Sequence, residues 1–121
     1  MTWFKVDDKL HAHKKARKAG KAAMGLWVLA GSWSADNLTD GFIPATQISA
    51  CLGTRTDAAR LVSAGLWIPC EIDGEDGWLF KDWPTYNPLR EEVEQKREET
   101  AERVRKWRER QKEKARLYLA Q

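Results

Sequence analysis

The chain has 121 residues, 42% of them hydrophobic, and a formal net charge of +3, a length that suits one compact domain. No stretch approaches the roughly 20 apolar residues of a membrane span, and the opening MTWFKVDDKL carries no apolar run of signal-peptide length, so a cytoplasmic protein is expected. There is no Gly-rich phosphate loop, nucleophile motif or paired set of metal ligands, so no enzyme, cofactor or metal centre is expected.

Charge divides the chain into three. Residues 1–21 hold seven basic against two acidic side chains, residues 22–89 three against eight, and residues 90–121 eleven against eight. Two basic ends flank an acidic middle. Apolar side chains concentrate in residues 22–89, so the core must be built there. Six of the seven Trp precede residue 90, and large aromatics bury much area per residue in a small core. Cys51 and Cys70 sit in apolar company and are expected to be reduced core thiols.

In chain order, Trp3-Phe4-Lys5-Val6 predicts a brief strand, which Asp7-Asp8 breaks. Leu10 to Ala19 is charged and predicts a helix whose Lys14, Arg17, Lys18 and Lys21 share one face. KAAMGLWVLAGSW, residues 21–33, is apolar nearly all round and predicts a central helix, with Gly25 and Gly31 marking close packing. A polar turn over 34–41 leads to a short strand at Phe42-Ile43. Pro44 then opens a short helix with Ala45, Ile48, Cys51 and Leu52 inward, ended by Gly53.

Thr54-Arg55-Thr56-Asp57 has the form of a capping box. It predicts a second helix to about Gly65, with Ala58, Leu61, Val62 and Leu66 inward. Two short helices joined at a Gly form a helix-turn-helix pattern. Trp67 to Ile72 and Trp78-Leu79-Phe80 then read as strands around an acidic loop, Asp73 to Gly77, and a hairpin in this place is a wing. Asp82 to Pro88, with two prolines, closes the domain. The predicted core includes Trp27, Leu29, Leu61, Val62, Leu66 and Trp78.

Beyond Leu89 there is no Gly or Pro. Glu92–Lys96, Glu99–Arg103 and Glu102–Lys106 support one long helix. A thin seam of Val93, Thr100, Val104, Trp107 and Tyr118 admits a homodimer through this helix. The expected fold is therefore mainly α with a small β-hairpin wing: a winged helix-turn-helix over 1–88 and a charged C-terminal helix over 89–121.

WFKVDDKLHAHKKARKAG, GLWVLAGSW, LVSAGLW and WLFKDWPTYNPLR together resemble the N-terminal module of replication-initiation proteins, the replisome-organiser, DnaD-like proteins of actinobacterial phages and prophages. The resemblance runs from Trp3 to about Arg90. It implies a winged helix in the host bacterial cytoplasm that binds DNA at a phage origin and meets host or phage replication proteins. About thirty residues follow, which fits a DNA-binding accessory, a regulator or a protein that binds a host factor.

The helix after Gly53 is the expected recognition element, with Arg55, Thr56, Arg60 and Ser63 outward to bases and phosphates. Lys14, Lys15, Arg17, Lys18 and Lys21 are expected to hold the phosphate backbone. The wing loop, with Asp73, Glu75 and Asp76, would repel phosphate and suits a basic protein instead. His11 and His13 stand two residues apart, a spacing that fits capping better than shared ligation. A winged-helix transcription regulator and a protein-interaction module are the competing functions, because one fold serves all three.

Overall fold

The structure is a computed structural model that describes residues 3–120. Contacts divide the chain into two compact units, Met1–Leu89 and Arg90–Gln121, one residue beyond the expected boundary. The described residues are mainly helical, with a small three-stranded antiparallel sheet and a long C-terminal helix.

In the first unit, a 3-10 turn at Leu10–Ala12 precedes α1 (Lys14–Ala19) and α2 (Lys21–Asn37). β1 (Phe42–Pro44) leads through a 3-10 turn at Ala45–Gln47 to α3 (Arg55–Ser63). β2 (Trp67–Ile72), β3 (Glu75–Phe80) and the single turn of α4 (Trp83–Tyr86) complete it. β3 is central in the sheet, paired with β2 on one side and β1 on the other.

α2 packs against α1, α3 and β1. Its buried face is Ala23, Leu26, Ala30 and Ser34, a helical repeat of small side chains around one Leu. The expectation of a helix buried on all sides is corrected: its neighbours cover one side, so Gly25 and Val28 are exposed and Leu29 is 41% exposed. A side chain at Gly31 would collide with the Phe4 ring, whereas nothing approaches Gly25. Of the other predicted core residues, Leu61 is fully buried, while Trp27, Val62, Leu66 and Trp78 are half-buried against the core.

Trp3–Val6 forms no strand. Its role is aromatic packing: the Phe4 ring lies 5.1 Å from Trp27, 5.8 Å from Phe80 and 5.7 Å from Trp83. The Lys5 amide donates to Asn87 Oδ1 at 3.0 Å, tying the first residues to the closing segment without any ladder.

The end of α2 is locked by a short relay. Ser34 Oγ accepts from the Gly41 amide at 2.8 Å and lies 2.6 Å from Thr39 Oγ1, which donates to the Phe42 carbonyl at 2.7 Å. Because the single Thr39 hydroxyl hydrogen goes to the Phe42 carbonyl, the Ser34 hydroxyl is the donor to Thr39. This aims β1 at the sheet.

The segment before α3 is a 3-10 turn and irregular turns rather than an α-helix. Ile48 and Cys51 point inward as expected, but Leu52 takes a left-handed conformation (φ 61°) and is 83% exposed. The stop is made at Leu52, where the Gly53 amide bonds back to the Ile48 carbonyl at 2.9 Å. Gly53 answers a different demand: a Cβ there would come within 2.6 Å of the Leu26 side chain.

The hairpin turn is shorter than expected. Asp73 and Gly74 alone make it, both with positive φ, the geometry of a two-residue turn matched to strand twist. Glu75, Asp76 and Gly77 belong to β3.

The second unit is α5 (Arg90–Leu119), unbroken over 30 residues. Its ion pairs are local: Arg90–Glu94 at 2.9 Å, Arg105–Glu102, Lys106–Glu102 at 3.9 Å and Arg116–Glu113 at 2.6 Å. Glu92–Lys96 and Glu99–Arg103 are not ion-paired among the described residues; Arg103 donates instead to Thr100 Oγ1 at 3.4 Å. Solvated pairs contribute so little that alternatives of this kind compete freely. Along the seam Val93 is buried, and Val104, Trp107 and Tyr118 are exposed. No described helix is long and apolar enough to cross a membrane.

Candidate nucleic-acid interface

α3 is built from both ends. Thr54 Oγ1 accepts from the Asp57 amide at 3.2 Å, and Asp57 Oδ2 accepts from the Thr54 amide at 3.0 Å, so the capping box satisfies two otherwise free donors. At the other end the Leu66 amide bonds to the Leu61 carbonyl at 2.9 Å. Ala58 and Leu61 are buried, and this fixes which side of the helix is presented.

Arg55, Thr56, Arg60 and Ser63 are all exposed, as is Ala59. At about 100° per residue these five span an arc of roughly 140°, with the two Arg at its edges and Ala59 and Ser63 inside it. Neither Arg is ion-paired within the described residues. Small residues between two guanidinium groups form a surface that can approach a groove closely, with each Arg free to fork onto a phosphate or a guanine edge.

The second basic group is divided. The backbone breaks at Gly20 (φ 89°), so Lys21 starts α2 and does not continue the face of α1. Lys14, Arg17 and Lys18 remain together on α1 and exposed. Lys15 turns away and is half-buried, its ammonium 3.8 Å from the position a Cβ would take at Gly65. α1 packs against α3, so one cation of the expected phosphate-binding set lies at the C-terminal end of α3.

Lys15 also lines a groove of about 120 Å³ with Lys5, Lys81, His13, Trp27 and Tyr86. Lys5 and Lys81 were not among the expected contacts. They lie at opposite ends of the unit in sequence, and the docking of Phe4 on Phe80 and Trp83 and the Lys5–Asn87 hydrogen bond bring them to one groove.

The two histidines serve the backbone. His13 Nδ1 accepts from the Lys15 amide at 3.2 Å as the N-cap of α1, and His11 Nδ1 lies 3.2 Å from the Asp8 carbonyl. Beside them, Asp7 Oδ1 accepts from the Lys9 amide at 2.8 Å, and this bond holds its carboxyl below the usual aspartate range. Cys51 and Cys70 are free, and burial pushes both thiols up, away from the reactive thiolate.

The hairpin carries the opposite charge. Glu71 and Asp76 face each other across β2 and β3, Asp73 lies in the turn and Glu75 follows it. All four are exposed. Like charges placed directly opposite destabilise a ladder, and they would also repel phosphate.

Comparison with protein-family models, with curated proteins and with solved structures finds no match to this chain.

Proposed function

We propose that this chain is a winged-helix DNA-binding protein that docks α3 in the major groove, and that it takes part in initiating phage or prophage DNA replication. The observation that carries the reading is the outer face of α3: Arg55 and Arg60 exposed around Ala59 and Ser63, on a helix whose ends are fixed. The element order supports it. A core helix, a short strand, a turn, α3 and a hairpin follow in sequence, and the first strand closes the sheet beside the hairpin, as expected of a winged helix. The replication role is supported by the resemblance carried by residues 3–90.

In this reading the two basic groups do different work. Lys14, Arg17 and Lys18 of α1 hold phosphates and supply affinity without sequence information. Arg55 and Arg60 discriminate. The test is fluorescence anisotropy with labelled duplexes. Arg55→Ala or Arg60→Ala is expected to cost about 1–3 kcal/mol more on the preferred site than on random DNA. Lys14→Ala with Lys18→Ala is expected to weaken all sequences alike and to shallow the salt slope by about 1 per lost contact. Equal losses from both variants on every sequence would remove α3 from the recognition role.

One observation favours a second reading, a protein-interaction module. The four carboxylates of the hairpin suit a basic partner protein, and a host or phage replication protein would meet this edge while α3 faces DNA.

A further inference from the structure

α5 changes sign in its middle. Residues 90–102 hold three basic against six acidic side chains, and residues 103–121 hold eight against two, a swing from −3 to +6. The eight cations of the second half are not scattered. At about 100° per residue, Arg103, Lys106, Arg110 and Lys114 form one row. Arg105, Arg108, Lys112 and Arg116 form another on the far flank. Between them runs an uncharged stripe of Val104, Trp107, Gln111, Ala115 and Tyr118, with the rows about 100° to either side of its centre. The acidic residues Glu102, Glu109 and Glu113 fall on the opposite side from the stripe. All of these side chains are exposed, Trp107 by 55% and Tyr118 by 79%.

We infer that the C-terminal half of α5 is a second nucleic-acid element that lies in the major groove of a duplex. It takes from the reading above only the class of partner and rests on the residues of α5 alone. A helix about 10–12 Å across fills a groove about 12 Å wide and meets a phosphate backbone on each flank. Two basic rows on opposite flanks match two backbones, and a single solvated face would not require that division. The uncharged stripe then points at base edges. Gln111 can pair with adenine, and Val104 and Ala115 can pack on thymine methyl groups. The carboxylates face away from the duplex. A lipid surface fits less well: the stripe is only about 80° wide, narrower than the ≳ 100° apolar face of a buried helix surface, and Gln111 sits in its middle.

The test uses the full chain in three forms beside the parent. One replaces Arg103, Lys106, Arg110 and Lys114 with Gln, the second replaces Arg105, Arg108, Lys112 and Arg116 with Gln, and the third carries Arg55→Ala and Arg60→Ala. Gln keeps helix propensity, and circular dichroism checks that helicity is unchanged. Anisotropy on mixed-sequence duplexes across a salt series is expected to give a shallower slope for each row variant, by about 1 per lost phosphate contact and up to about 4 per row. Unchanged slopes in both row variants overturn the proposal, as does a loss confined to one row, which would mean a single charged face. Row variants that lose only binding to anionic lipid vesicles, or lose only a doubled mass in sedimentation, also overturn it in favour of a membrane or a second copy. The Arg55/Arg60 variant keeps the two ideas apart. If it alone loses binding, α3 stands and this inference fails; if the row variants alone lose binding, α3 fails and this inference stands.

Discussion

The two units are held together by different physics. In Met1–Leu89 the helices are short, between four and 17 residues, and exist because each lays a small apolar face on a shared core. α5 runs for 30 residues with only Val93 buried, and its order comes from backbone hydrogen bonds, the absence of Gly and Pro, and charge pairs within a turn. The first unit should therefore respond steeply to a single buried atom group. The second should respond only to the sum of many small terms.

The largest expected effect follows from the core. Leu61→Ala should lower the stability of the first unit by about 2–5 kcal/mol, read by chemical denaturation through Trp fluorescence. A loss under about 1 kcal/mol would mean that α3 is not seated on this core. Next is the cap. Thr54→Ala removes the acceptor for the Asp57 amide and should cost about 0.5–2 kcal/mol; no loss would show that the box adds nothing to a helix already held by packing. The smallest effect belongs to α5. Glu102→Gln removes the partner of both Arg105 and Lys106, yet should change stability by less than about 1 kcal/mol because all three groups are solvated. A larger loss would place that pair in a network and weaken the contrast between the units.

The elements with local signals were legible in the sequence. The capping box at Thr54 and Asp57 and the uninterrupted tail are written in neighbouring residues, and α3, the hairpin and α5 stand where they were expected, although the hairpin loop of Asp73 to Gly77 tightens to a turn of Asp73 and Gly74. What escaped depends on partners far along the chain. Trp3–Val6 has the composition of a strand, but its aromatic is claimed by Trp27, Phe80 and Trp83. Lys14 to Lys21 have the spacing of one helical face, but Gly20 breaks it. Leu29 looks like core until the neighbours of α2 are known to cover one side only.

The candidate site shows the same division. Arg55, Thr56, Arg60 and Ser63 could be placed outward from the periodicity of Ala58 and Leu61. The groove that gathers Lys5, Lys15 and Lys81 could not, because no local pattern joins residues 76 positions apart. The two basic rows of α5 were present in the sequence as a helical repeat, and become visible once the helix is known to be continuous through Arg116.

Nucleic-acid binding through charge placed on folded helices, as proposed above, is tested by the affinity of the unmodified full chain for a labelled DNA duplex, measured by fluorescence anisotropy from about 50 to 200 mM salt. Log affinity is expected to fall linearly with log salt, with a slope that reports several phosphate contacts. Absence of salt-dependent binding to any duplex would contradict the proposal.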